Sequence, residues 1–177
     1  YHLNDFNSSL DWLTKKMLDP NASPINYRHE NFLLGADCLK LSKYADGLRY
    51  FENAMLGDSR DWIYYSAKLN SLTARLRMAN GDGNVINQIE NDYKELLALA
   101  DDPTITNVKL YASYQLASMY SVTNKEEASR CYDIALSYAS DSARPRILAD
   151  QYYVVSEDKR ESLLNELVNT IKSVDSI

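Results

Sequence analysis

Glycine and proline are scarce in this chain, five and four residues among 177. Little material is therefore left for hairpin turns. Valine and isoleucine are also few beside leucine and alanine, so a sheet-rich fold is disfavoured. No apolar run approaches the ~20 residues that cross a bilayer. The two cysteines, Cys38 and Cys131, are far apart in the chain and form no Cys-x-x-Cys or Cys/His cluster of the kind that holds zinc. Both fall within apolar patterns and read as reduced core residues. A basic surplus is missing too: 19 Lys and Arg stand against 25 Asp and Glu, a formal net charge of −6. Phosphate neutralisation and docking on anionic lipid both need the opposite balance, so neither nucleic acid nor a membrane surface is an expected partner.

The two histidines, His2 and His29, offer little for catalysis. His2 lies at a terminus, and His29 stands in a Tyr-Arg-His-Glu run that opens a helix. No Ser/His/Asp arrangement, paired-histidine metal motif or phosphate loop is visible, so the chain reads as a non-enzyme with no cofactor. Asn80-Gly81-Asp82-Gly83-Asn84 lacks the glycine and glutamate spacing of a calcium loop and reads as a left-handed linker. Because the chain begins at Tyr1 rather than Met, it reads as a processed or excised piece, either the extracytoplasmic part of a larger protein or a cytoplasmic one.

What is abundant is helical periodicity. Leu3, Phe6, Leu10, Leu13 and Met17 recur at three- and four-residue spacing, predicting a first helix over about residues 3–18. Ser23-Pro24 offers a cap and a proline at the first helical position of a second helix, which runs to about Ser42. A third spans Tyr44 to Leu56 and is stopped by Gly57. Asp58 or Ser59 is expected to cap a fourth, from near Trp62 to Met78. Beyond the Gly81 linker, Val85, Ile89, Tyr93, Leu96 and Ala100 mark a fifth. Asp102-Pro103 starts the sixth, and Thr123-x-x-Glu126 is a capping box for the seventh. Asp141 or Ser142 is expected to cap the eighth, with Pro145 in its first turn, where its missing N–H costs little. The ninth, from Asp158, carries Leu163, Leu164, Leu167, Val168, Ile171 and Val174 on one face.

Within this pattern, small and large residues alternate in a repeated way. Leu34-Gly35-x-x-Cys38 is followed by Tyr44, Gly47, Phe51 and Ala54. Leu116-Ala117-x-x-Tyr120 is followed by Ala128, Tyr132 and Ala135. Small residues allow two backbones to approach, and the aromatic wedges between them. This spacing resembles the tetratricopeptide repeat. Trp62-x-x-Tyr65-Ser66-x-x-Leu69 and Leu148-Ala149-x-x-Tyr152 resemble its first helix, while Ile89, Tyr93 and Leu96 depart from the second.

The resemblance implies an all-α fold: a right-handed α-α superhelix of about four antiparallel helical hairpins plus an N-terminal helix. The chain is then one domain, with the N-terminal helix over 1–22 and hairpins over 23–57, 58–101, 102–140 and 141–177. It further implies a concave groove lined by the first helix of each hairpin. That lining is His29, Phe32, Ala36 and Lys40 in the first hairpin and Ile63 and Asn70 in the second. Tyr111, Tyr114 and Ser118 follow in the third, and Arg146, Asp150 and Tyr153 in the fourth. The carboxylate clamp of some such domains is missing, since Phe32, Ala36, Tyr114 and Ser118 occupy its places and Lys40 alone matches.

Fourteen tyrosines are many for this length. Tyr44, Tyr65, Tyr120 and Tyr132 read as inter-helix wedges. Neighbours on a helix diverge by about 100°, so one member each of Tyr64-Tyr65 and Tyr152-Tyr153 is expected to be exposed. The functional expectation is a non-catalytic scaffold that grips a protein or peptide in its groove. The alternative is a sensory or regulatory input domain of a membrane-anchored kinase or transcription regulator, and a third reading, ranked below both, is an enzyme on a helical scaffold. Homo-oligomerisation stays open.

Overall fold

The computed structural model describes residues 5–16 and 24–174. Among them are nine α-helices and no strand, so the fold is all-α. Backbone contacts cluster into two compact units that divide between Asp92 and Tyr93.

In the first unit, α1 (Phe6–Lys16) packs on α2 (Arg28–Lys40), and α2 packs on α3 (Tyr44–Ala54) and α4 (Trp62–Met78). Residues 3, 17 and 18, and the Ser23 cap, lie outside the described residues. The segment after it, Pro24–Tyr27, is a 3-10 turn, so α2 starts at Arg28. Only three residues join α2 to α3, which forces the two helices antiparallel. Their closeness rests on small residues. The Gly35 backbone lies under the Phe51 ring, where an added Cβ would meet Phe51 Cε1 at 2.5 Å. A Cβ on Gly47 would stand 3.3 Å from the Gly35 carbonyl oxygen. Phe51, Ala54 and Ala67 form a buried cluster, with Phe32, Leu39, Met55 and Ile63 packed on it. Full burial of a side chain the size of Phe51 is worth roughly 1.5–3 kcal/mol.

The chain leaves α3 at Ala54, two residues before the expected end, and Gly57 takes a left-handed conformation at φ +88°. The cap of α4 is Asp61, not Asp58 or Ser59: its carboxylate accepts from the Tyr64 amide at 3.0 Å. Asp61 also accepts from both terminal guanidinium nitrogens of Arg28 at 3.0 Å, and Arg28 Nε donates to the Ala54 carbonyl at 2.9 Å. One arginine thus ties the start of α2 to the end of α3 and the start of α4. Partial burial raises the Asp61 pKa, but the hydrogen bonds from Arg28, Tyr64 and Ser59 outweigh it and hold the group down at about 2. After α4, Asn80 and Gly81 take positive φ, and α5 (Gly83–Leu97) begins at once. Arg75 of α4 pairs with Asp92 of α5 at 3.1 Å.

In the second unit, α6 (Thr106–Tyr120) packs on α7 (Lys125–Tyr138), α7 on α8 (Arg144–Tyr152), and α8 on α9 (Glu157–Val174). Asp102 does cap a start, but of a 3-10 turn, Pro103–Ile105, through the Thr104 amide at 2.8 Å. The α7 cap is Asn124, one residue beyond the expected Thr123, because its Oδ1 reaches the Glu127 amide at 3.1 Å. At the start of α8 no side chain caps; Ala143 stands there, and Pro145 falls in the first turn. Leu116, Ala117, Ala128, Tyr132, Ala135 and Leu148 are buried, with the alanines where helices meet. Arg144 links three helices, donating to the Leu136 carbonyl at 3.0 Å and to Glu166 at 3.1 Å.

Cys38 and Cys131 are both buried and in no disulfide, and burial pushes the Cys38 thiol pKa up. The apolar face of α9 is only partly used. Leu163 and Leu167 are half-buried, while Leu164, Val168 and Ile171 stay exposed.

Candidate functional site

The expected groove residues fall into two groups, one in each compact unit. In the second unit, Tyr114 projects from the middle of α6, while Arg146 and Asp150 stand one turn apart on α8. The Tyr114 hydroxyl donates to Asp150 Oδ2, joining residues 36 apart in the chain. The Arg146 guanidinium lies over the Tyr114 ring, 5.8 Å from its centroid. Behind Tyr114, the Tyr132 ring of α7 meets it edge-on at 5.8 Å and 70°.

These contacts set the electrostatics. Burial, then the bond to Asp150, raises the Tyr114 pKa, and Arg146 opposes that rise. Tyr132 is pushed up to about 12, first by burial and then by the nearby Asp150 charge. Arg146 is raised by its contact with Tyr114. Tyr114 and Tyr132 are therefore neutral phenols at neutral pH, with the Arg146 cation beside them. Around this cluster, Tyr111 is 53% and Tyr153 is 73% exposed, so two aromatic faces meet solvent. Ser118, one turn beyond Tyr114, is exposed.

No family model, no curated protein and no solved structure matches this chain. Its functional reading therefore stands on its own residues.

In the first unit, His29 and Phe32 stand on α2 and converge on Trp62, the first residue of α4. Their rings meet it edge-on, each at 5.9 Å. Phe32 also tilts against Phe51 at 6.2 Å, so it belongs half to the core. Ile63 is half-buried against the same core. Asn70 gives its amide to the Ser66 carbonyl of its own helix at 2.9 Å. Ala36 is half-buried and Lys40 exposed.

Trp62 was expected only as a packing position, yet it is 42% exposed. Its place at the first position of α4, beside the solvent-facing cap, is the signal that marks it. Tyr132 belongs to the cluster although its spacing reads as a wedge alone; nothing in the sequence places it against Asp150. Of the adjacent tyrosine pairs, Tyr152 is half-buried and Tyr153 exposed, as the helical angle requires. Tyr64 and Tyr65 depart from that expectation, since both are half-buried. The Arg60 guanidinium covers the Tyr64 ring at 4.2 Å.

Among the described residues, no group of three His, Cys, Asp or Glu could hold a metal ion. Nor is any helix long and apolar enough to cross a membrane.

Proposed function

We propose that this chain is a non-catalytic interaction domain that binds a protein or peptide partner. The face that carries the reading is formed by α6 and α8 of the second unit. There, exposed Tyr111 and Tyr153 flank the Tyr114–Asp150–Arg146 cluster. Tyrosine supplies a large, rigid contact area for the loss of few rotatable bonds, and arginine adds directional donors; both are enriched where binding energy concentrates. The bond to Asp150 holds Tyr114 in place before a partner arrives, which reduces the entropy lost on association.

The tetratricopeptide-like reading of the chain agrees with this role. Its support is the helical pairing of α2 with α3 and of α6 with α7, together with the glycines and alanines at their contacts. On that reading the hairpins form a right-handed superhelix, and the α2 residues His29 and Phe32 with Trp62 offer a further aromatic anchor.

Selection of peptides displayed on phage supplies the test. A selected peptide is expected to lose at least tenfold in affinity for the Tyr111→Ala, Tyr153→Ala double variant, whose circular dichroism stays native. Affinity unchanged by that variant rejects the assigned face.

A further inference from the structure

A cavity opens beside α7 in the second unit. It is a cleft of about 620 Å³ between the first turns of α7 and the corner from α8 into α9. Val154 and Val155, 7% and 8% exposed, contribute its apolar lining. Its rim carries charges of both signs. Among the described residues, Lys125, Lys159 and Arg160 enter no ion pair, and neither do Glu126 and Glu157. Arg130 and Asp133, which also line the cleft, are occupied: Arg130 binds Glu127 at 3.0 Å, and Asp133 accepts the Gln151 amide at 2.7 Å.

One orphaned polar atom belongs to the cleft, and a second lies behind its wall. The Arg160 guanidinium is held 5.6 Å over the Tyr152 ring, and its buried Nε has no acceptor. Gln151, 3% exposed, sits directly behind the wall made by Ser129 and Asp133. Its Nε2 donates to both of them. That orientation is forced, because Asp133 Oδ1 and the Ser129 carbonyl can only accept. Gln151 Oε1 is therefore left without a donor. A buried polar atom without a partner costs about 1–3 kcal/mol, so the Arg160 Nε favours a ligand that completes it.

One lone donor, with cations and carboxylates beside it, therefore lines a single cleft. We propose that this cleft binds a zwitterion, a molecule carrying an ammonium and a carboxylate, as free amino acids and unblocked short peptides do. Arg160, with Lys159 and Lys125, receives the carboxylate. The first-turn amides of α7 and α9 add a positive potential from helices of 14 and 18 residues. Glu126 and Glu157 receive the ammonium. This site does not depend on the peptide face assigned to α6 and α8.

Amide NMR titrations of the whole chain decide the matter. The probes are leucine, glutamate and trialanine, alongside N-acetyl-trialanine and trialanine amide. Expected are shifts of the Gln151 side-chain amide and of the first-turn amides of α7 and α9 with at least one zwitterion. Either block on trialanine should weaken binding tenfold or more if the peptide is the ligand; binding by the free amino acids alone assigns the site to them. Arg160→Gln should abolish the shifts while thermal melting stays as in the parent. Should that variant fold poorly, the surface pair Lys125→Ala and Lys159→Ala must reduce binding in its place. No shift with any zwitterion, equal binding of the blocked forms, or binding indifferent to these substitutions overturns the proposal.

Discussion

Gly35 and Phe51 occupy one volume between them: the ring of Phe51 lies where a side chain on Gly35 would begin, 2.5 Å from its Cβ position. Neither residue is replaceable alone. Phe51 is fully buried, so its ring has nowhere to retreat.

The Gly35→Ala variant sets two effects against each other. Alanine improves helix propensity by about 1 kcal/mol. Overpacking a closed core costs typically 1–3 kcal/mol, and here the clash is with a ring that cannot swing away. A net loss of about 1–2 kcal/mol is expected in urea denaturation. Gly83→Ala makes the contrast, because nothing lies within 4 Å of its Cβ and its φ is not positive. That variant should be neutral or gain up to about 1 kcal/mol. Equal destabilisation by both would refute the close-approach account.

Acid should weaken the first unit through Asp61. Its folded pKa, about 2, lies below the ordinary 3.8 of the free group. The stabilisation is therefore complete above 3.8 and is lost as pH falls through about 2. The nominal shift is halved here for solvent screening, since the Asp61 side chain is 37% exposed; about 1 kcal/mol remains. Denaturation midpoints measured between pH 5 and pH 2 should fall less steeply for Asp61→Asn than for the parent. Identical slopes would show that the Arg28 pair contributes nothing.

Alkali should reveal the Tyr114 cluster. Tyr132 is pushed up to about 12, partly by the Asp150 charge, so removing that charge lowers it. Rapid-mixing absorbance at the tyrosinate band, read before unfolding, should show a late-titrating phase. Tyr132→Phe should delete it, and Asp150→Asn should move it toward lower pH. The raised value also means that this stabilisation is full below the ordinary 10 and fades as pH rises through about 12. A late phase untouched by either substitution would place its origin elsewhere.

Lys109 gives a test of charge burial. Its side chain is 5% exposed and its ammonium meets Asp101 at 2.5 Å, with the Tyr138 hydroxyl donating to the same carboxylate at 3.3 Å. The bond to Asp101 raises the Lys109 pKa, so the lysine is charged. Asp101→Ala leaves that cation without its carboxylate. Adding Lys109→Met removes the stranded charge and keeps the volume. The double variant should be more stable than Asp101→Ala alone in thermal melts, and the reverse order would disprove the pairing.

Much of the helical layout is legible from periodicity. α4 spans Trp62 to Met78 as expected, and the Asn80-Gly81 linker is left-handed as expected. Helix starts are less legible, because several neighbours can serve as caps. Asp58, Ser59 and Asp61 all qualify by type, and only the approach of Arg28 and the course of the turn select Asp61. Thr123 and Asn124 present the same ambiguity, resolved by a single bond to the Glu127 amide. Among site residues, Tyr114, Arg146 and Asp150 are marked by lying off the packing stripe. Tyr132 is not, since it lies on that stripe and meets the cluster from behind.

From sequence alone come the all-helical class, the short antiparallel turns, and the small residues at Gly35 and Gly47. Each follows from period and volume over a few turns of chain, which neighbouring residues already determine. The tertiary structure decided the pairs Arg28–Asp61 and Tyr114–Asp150, 33 and 36 residues apart, and the unpartnered Oε1 of Gln151. Helical spacing establishes which residues share a face. Which faces meet depends on how whole helices pack, and that alone brings distant side chains within hydrogen-bonding reach.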